Sequence, residues 1–112
     1  MESRRAFPLQ YTPVAVFAAA TRVAQNPPKG FKQAHIEDAL YRIHMKGGMS
    51  MLSWGENITI QVYADPSGAT LLDITSKPAL ATTLVDYGKG DRNVVTIANA
   101  IFAQLGAPLQ AQ

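Results

Sequence analysis

The sequence predicts an α+β two-layer sandwich: an antiparallel meander of about four strands, with an N-terminal and a C-terminal helix packed on one face. Two apolar stripes with helical spacing lie near the two ends of the 112 residues, and residues of alternating polarity lie between them. Strands joined by short turns usually pair with their neighbours. Each helix has one apolar stripe and the sheet has one apolar face. Packing both helices on that face buries all three apolar surfaces in a two-layer structure.

Capping residues set the ends of both predicted helices. Thr12 is a good N-cap and Pro13 suits the first helical position, so we expect a helix over about 13–25. Asp91 is the expected N-cap of the second helix, and Gly106 is its expected C-terminal stop. The apolar residues of the second helix recur at helical spacing: Val94, Ile97, Ala98, Ile101, Phe102 and Leu105.

The central part of the chain alternates with a period of two, which is typical of half-buried strands. The sequence predicts a hairpin whose turn is Asp65-Pro66-Ser67-Gly68, with Ile58, Ile60 and Val62 facing inward before it. A strand over 69–76 is expected to follow, and Pro78 argues against extending it further. The opposite parity is expected to face solvent: Arg42, His44, Lys46, Thr59, Gln61, Tyr63, Asp73 and Thr75.

The composition excludes several classes of protein. Hydrophobic residues make up 47% and charged residues 16%, which excludes a disordered tail. The absence of cysteine excludes disulfides, thiol catalysis and thiolate metal sites. A net charge of +2 does not favour a nucleic-acid partner, and no apolar run reaches the roughly 18 residues of a transmembrane helix. We expect a soluble, cytoplasmic domain over 7–106, flexible ends at 1–6 and 107–112, and neither cofactor nor metal.

A set of short motifs carries a family resemblance across most of the chain. They are Phe7, the segment Ser53-Trp54-Gly55-Glu56-Asn57-Ile58, Gly68-Ala69-Thr70, the segment Thr83-Leu84-Val85-Asp86-Tyr87-Gly88-Lys89, and Asn93. On these residues the chain resembles small bacterial domains of unknown function, in which an aspartate–aromatic–glycine–basic loop opens a terminal helix. The resemblance implies a fold, and it supplies no catalytic residues.

A methionine-rich segment that ends in tryptophan gives the main functional hypothesis. Flexible thioethers adapt to varied partners and a tryptophan can anchor an interface. Met49, Met51 and Trp54 therefore either fill the core or form an apolar contact surface. The second reading predicts a small binding or assembly domain, with another protein or a second copy of the chain as its partner.

Two further functions remain open from the sequence. The first is binding of a small apolar or amphipathic ligand in a pocket between helix and sheet, lined by Phe17, Trp54 and Phe102. The second is an enzyme that uses a histidine, His35 or His44, with Asp86. The two histidines are expected on different rungs of a strand pair, and no metal-ligand spacing is present, so no catalytic residue is assigned.

The segment before the last helix offers a candidate anion site. Gly88, Lys89, Gly90 and Arg92 place two cations and backbone N–H groups at a helix N-terminus, where the helix dipole favours anions. The order of residues is not that of a P-loop. The alternative is a helix entry turn whose cations are solvated.

Overall fold

The computed structural model describes residues 2–47, 55–79 and 88–109. Its elements, in chain order, are β1 (Ser3–Leu9), α1 (Pro13–Gln25), β2 (Phe31–Glu37), one turn of 3-10 helix (Asp38–Leu40), β3 (Arg42–Gly47), β4 (Glu56–Ala64), β5 (Thr70–Pro78) and α2 (Lys89–Leu105). The strands form an antiparallel sheet in the order β1-β5-β4-β3-β2. Strands β2 to β5 are thus the predicted meander.

Strand β1 is the element that the sequence analysis missed, and it makes the sheet five-stranded rather than four-stranded. The loose start expected for residues 1–6 is wrong from Ser3 onward, because Ser3–Leu9 pairs along its whole length with β5. Phe7, opposite Leu72, is 6% exposed and belongs to the core. Two arginines and a proline make this segment look unlike a strand, yet an edge strand tolerates all three.

The two helices pack on the same layer of apolar side chains and against each other. Helix α1 contacts β3, β4 and β5, while α2 contacts β5 and β1. Arg22 of α1 donates to Gln104 of α2 at 2.9 Å. The inner sheet residues Ile58, Ile60 and Val62 are at most 4% exposed. The predicted two-layer α+β arrangement is therefore confirmed.

The N-terminal helix has the ends that the sequence predicts. Pro13 is its first residue and Gln25 its last, and the Thr12 hydroxyl oxygen accepts a hydrogen bond from Ala15 N at 3.1 Å. Apart from Phe17, the buried side chains of α1 are alanine or valine: Val16, Ala19, Ala20, Val23 and Ala24.

The C-terminal helix begins earlier than predicted. Gly88, with a φ of 76°, is the N-cap, and Asp91 lies inside the first turn instead of capping it. A carboxylate in that turn still stabilises the helix through the macrodipole. At the other end the prediction is confirmed, since Gly106 adopts the left-handed conformation with a φ of 73°.

Two strand boundaries also differ from the sequence analysis. Within the part of the chain predicted to alternate, β3 begins only at Arg42, because residues 38–40 form a 3-10 turn and Tyr41 has a φ of 52°. Strand β5 continues to Pro78, which occupies its last position opposite Glu56. A proline is tolerated where a ladder ends.

The outer face of the sheet is polar, as predicted. Asp73 lies on this face but is buried. Asp73 is 5% exposed because Arg4 of β1 lies over it. Arg42 Nε donates to Gln61 Oε1 at 2.7 Å, and Lys77 Nζ lies 3.2 Å from Glu2 Oε1.

Within residues 2–47, 55–79 and 88–109, no helix has both the length and the apolar character needed to cross a membrane.

Candidate functional site

Several residues of the functional hypotheses lie outside the described residues. Met49, Met51 and Trp54 belong to residues 48–54, and Asp86 belongs to residues 80–87. The assembly hypothesis that rests on the methionines and tryptophan therefore stays a prediction. The same holds for the expected second copy of the chain as a partner.

The two candidate phenylalanines lie in different surroundings. Phe17 of α1 stacks on Tyr41, with ring centroids 4.7 Å apart and planes 9° from parallel. Phe102 of α2 packs edge-to-face against Phe7, with centroids 5.3 Å apart. Of the two, Phe102 borders an open groove.

This groove lies between β1 and the C-terminal end of α2, and we call it the β1–α2 groove. Its volume is about 420 Å³. The end of α2 shapes it, because Ala107 N donates to the Phe102 carbonyl at 2.9 Å and turns the chain back after Gly106. The lining residues come from the edge strand, the helix and this turn: Arg5, Ala6, Phe7, Pro8, Leu9, Phe102, Ala107 and Pro108.

Among the described residues that line the groove, Arg5 is the only charged one. It pairs in the sheet with the buried Ile74, so its position belongs to the helix-facing side. Its guanidinium carbon lies 4.8 Å from the centroid of the Phe7 ring, which is a cation–π contact. The groove thus combines an aromatic floor with one positive charge.

Sequence reasoning found Phe102 but missed the β1 side of this groove. The sequence predicts a flexible end at residues 1–6 and therefore gives Arg5 no role. The signal in the sequence is the spacing of Phe7 and Leu9 two residues apart, which a strand places on one face.

The histidines lie together, contrary to expectation. His35 and His44 are directly opposite each other on β2 and β3, with ring centroids 6.1 Å apart. The interpretation that they lie on different rungs is wrong, because a register shift between Gln33 and His35 moves His35 onto the rung of His44. In the described ranges, no group of three histidine or acidic residues is arranged to hold a metal ion.

Glu37 joins this histidine pair on the outer face. His44 Nε2 and Glu37 Oε1 are hydrogen-bonded at 2.7 Å, and Arg42 Nη1 lies 3.8 Å from the same oxygen. The hydrogen bond with His44, aided by the nearby positive charges, lowers the pKa of Glu37 from its ordinary value of 4.5. These contacts fix the carboxylate on the surface of the sheet.

We predict a pH-dependent effect of Glu37→Gln. A lowered folded-state pKa means that ionised Glu37 stabilises the fold above its ordinary pKa, and that this contribution disappears as the pH falls through the folded-state value. At neutral pH the variant should be slightly less stable than the parent, and the two should converge in acid. Urea unfolding at neutral pH and at about pH 3 checks this. A difference that is unchanged at low pH would contradict it.

The candidate anion residues occupy the first turn of α2 rather than a loop. Gly88 is the N-cap, and Lys89, Gly90 and Arg92 follow it within the helix. Arg92 lies close over Gly88, since a Cβ added to the glycine would be 3.3 Å from Arg92 Nη1. Anion binding at this turn stays a prediction.

Buried polar side chains also occur between the sheet and the helices. Ser76 Oγ donates to Glu56 Oε1 at 2.8 Å, and both residues are buried. Asn93 of α2 is 7% exposed, and its Nδ2 has no hydrogen-bond acceptor among the described residues. A buried donor without an acceptor costs roughly 1–3 kcal/mol.

We therefore predict that Asn93→Leu stabilises the protein by about 1 kcal/mol, because leucine has a similar size and no donor to satisfy. Thermal unfolding with and without the substitution measures this. Asn57→Leu, at an exposed position of β4, is the control and should change stability by less than about 0.5 kcal/mol. A loss of stability in Asn93→Leu would show that the amide is satisfied, for example by a buried water.

Comparison with known proteins shows the fold and no more. No protein-family model matches the chain, and no curated protein matches it. The crystal structure of Ara h 8.0201 is similar at a TM-score of 0.60 and 10% identity, over 94% of each chain. A structure from Nitrosospira multiformis, a structural genomics target, is similar at a TM-score of 0.59 and 12% identity, over 99% of this chain and 97% of the other. The chain shares with both an antiparallel sheet packed against helices, in a helix-grip-like fold.

Proposed function

We propose that this domain binds a small amphipathic molecule in the β1–α2 groove. The observation that carries the proposal is the pairing of an aromatic floor, Phe7 and Phe102, with the single cation of Arg5. Ligand sites are commonly apolar clefts with a few polar groups that orient the ligand. The volume of about 420 Å³ falls in the range of roughly 300–1,000 Å³ that such sites have.

The chemistry of the lining favours binding over catalysis. Alanine, proline, leucine and phenylalanine side chains neither transfer protons nor act as nucleophiles, and they make up the lining apart from Arg5. An arginine stays protonated and so serves as a fixed charge. The groove is therefore suited to holding a molecule rather than to changing it.

A steric block of the groove tests the proposal. Ala107→Phe fills the space beside Phe102, whereas Ala103→Phe adds the same ring at an exposed position of α2. The probe is N-phenylnaphthylamine, a neutral dye whose fluorescence rises in apolar surroundings. Ala107→Phe should weaken its binding by about tenfold or more, and Ala103→Phe should leave it unchanged. Equal binding by the parent and both variants would overturn the proposal, as would no binding to the parent.

A further inference from the structure

We infer that the ligand of the β1–α2 groove is an anionic amphipath, whose carboxylate or other oxyanion binds Arg5 while its apolar part lies along the apolar lining of the groove. This inference rests on the proposed function and adds the charge of the ligand to it. Three features carry it: the contrast between two neighbouring arginines, the two backbone-bonded carbonyls at the end of α2, and the lack of an acidic residue among the described residues that line the groove.

The two arginines of β1 differ in their partners. Arg4 forms a fork on Asp73, with Nε at 3.0 and 3.1 Å from the two carboxylate oxygens and Nη2 at 2.5 Å from Oδ2. These bonds raise the pKa of Arg4 and satisfy its charge. Arg5 faces the other side of the sheet, and no carboxylate of the described residues lies within ion-pair distance of it. The edge strand β1 thus carries one guanidinium that is paired with a carboxylate, Arg4, and one that has no carboxylate partner among the described residues, Arg5.

The contact of Arg5 with Phe7 leaves room for an anion. A guanidinium over an aromatic ring interacts through its face, while its N–H donors point outward in its own plane. Those donors match a carboxylate in geometry, and a charge-assisted pair of this kind is stronger than a neutral hydrogen bond. Arg5 is exposed, so an anion can reach these donors from solution.

Two of the last carbonyl groups of α2 already accept backbone hydrogen bonds. A helix C-terminus attracts cations because its last carbonyl groups lack partners. Here Ala107 N donates to the Phe102 carbonyl at 2.9 Å, and Gly106 N donates to the Ala103 carbonyl at 3.4 Å. The backbone therefore occupies these two carbonyls, which leaves the N–H donors of Arg5 to an anion from solution.

A series of ligands with one chain length and three head groups tests the inference. Octanoate, octanol and octylammonium are titrated into the full chain by calorimetry at one ionic strength. We expect octanoate to bind at least about tenfold more tightly than octanol, and octylammonium to bind more weakly than both. Arg5→Gln should lower the affinity for octanoate to that for octanol and leave octanol unaffected. Lys46→Gln removes the same charge on the outer face of β3 and should change neither affinity.

The outcomes separate this inference from the proposed function. Equal affinities for octanoate and octanol would overturn the anionic assignment while leaving a ligand groove. Failure of all three molecules to bind would overturn the proposed function itself.

A charge on an edge strand can also serve to prevent pairing with another chain. If the Arg5→Gln variant self-associates but still binds octanoate more tightly than octanol, Arg5 serves to prevent pairing with another chain and the inference is wrong. The head-group comparison on the parent protein stands even if the variant fails to fold.

Discussion

Phe102→Ala should lower the free energy of unfolding by about 3–5 kcal/mol, the range for truncating a buried phenylalanine. Phe102 is 1% exposed, and its ring packs edge-to-face on Phe7. The substitution would leave a cavity where α2 meets the sheet and would remove an aromatic pair that ties the edge strand to the core. Urea unfolding followed by circular dichroism measures the change.

The matched control for this prediction is Tyr63→Ala. Tyr63 is also aromatic, but it lies on the outer face of β4 and is 46% exposed. Its truncation should cost less than about 1 kcal/mol, because most of the ring is already in water. Similar losses in the two variants would contradict the placement of Phe102 at the centre of the contact between helix and sheet.

Leu72→Ala should cost about 2–5 kcal/mol for the same reason. Leu72 is fully buried on the inner face of β5, between Phe7 of β1 and Val62 of β4. Removing it creates a cavity under α2 and weakens the packing of both neighbouring strands. The loss should appear in chemical and thermal unfolding alike.

The neighbouring residue supplies an internal control, since Leu71→Ala makes the same chemical change on the other face of the strand. Leu71 is half-buried and lies between Pro8 and Tyr63 on the outer side of the sheet. Its truncation should cost clearly less than that of Leu72. If the two leucines were equally costly to truncate, the assignment of one buried and one outer face to the sheet would be wrong.

Local signals explain which parts of the fold the sequence predicts well. Thr12, Pro13 and Gly106 act within one turn of their own helices, so the ends they mark can be predicted from neighbouring residues alone. The turn at Asp65–Gly68 is equally local, since Gly68 N donates to the Asp65 carbonyl at 2.9 Å. These elements therefore match the structure closely.

Long-range pairing explains most of what the sequence analysis missed. Strand β1 is held by β5, which lies far along the chain, and no residue near Ser3 or Arg4 indicates that partner. The rung shared by His35 and His44 depends on a register shift that alternation alone does not reveal. The same limit hides the groove, because Arg5 and Pro108 come from opposite ends of the sequence and meet only in the folded chain.

The direct test of the groove as the binding site is a map of amide chemical shifts in the ¹⁵N-labelled protein during titration with octanoate. The account predicts saturable shifts concentrated at Arg5, Phe7, Leu9, Phe102 and Ala107, the lining amides on both sides of the groove. Shifts centred instead on the outer face of β3 and β4, or an absence of saturable shifts anywhere, would contradict it.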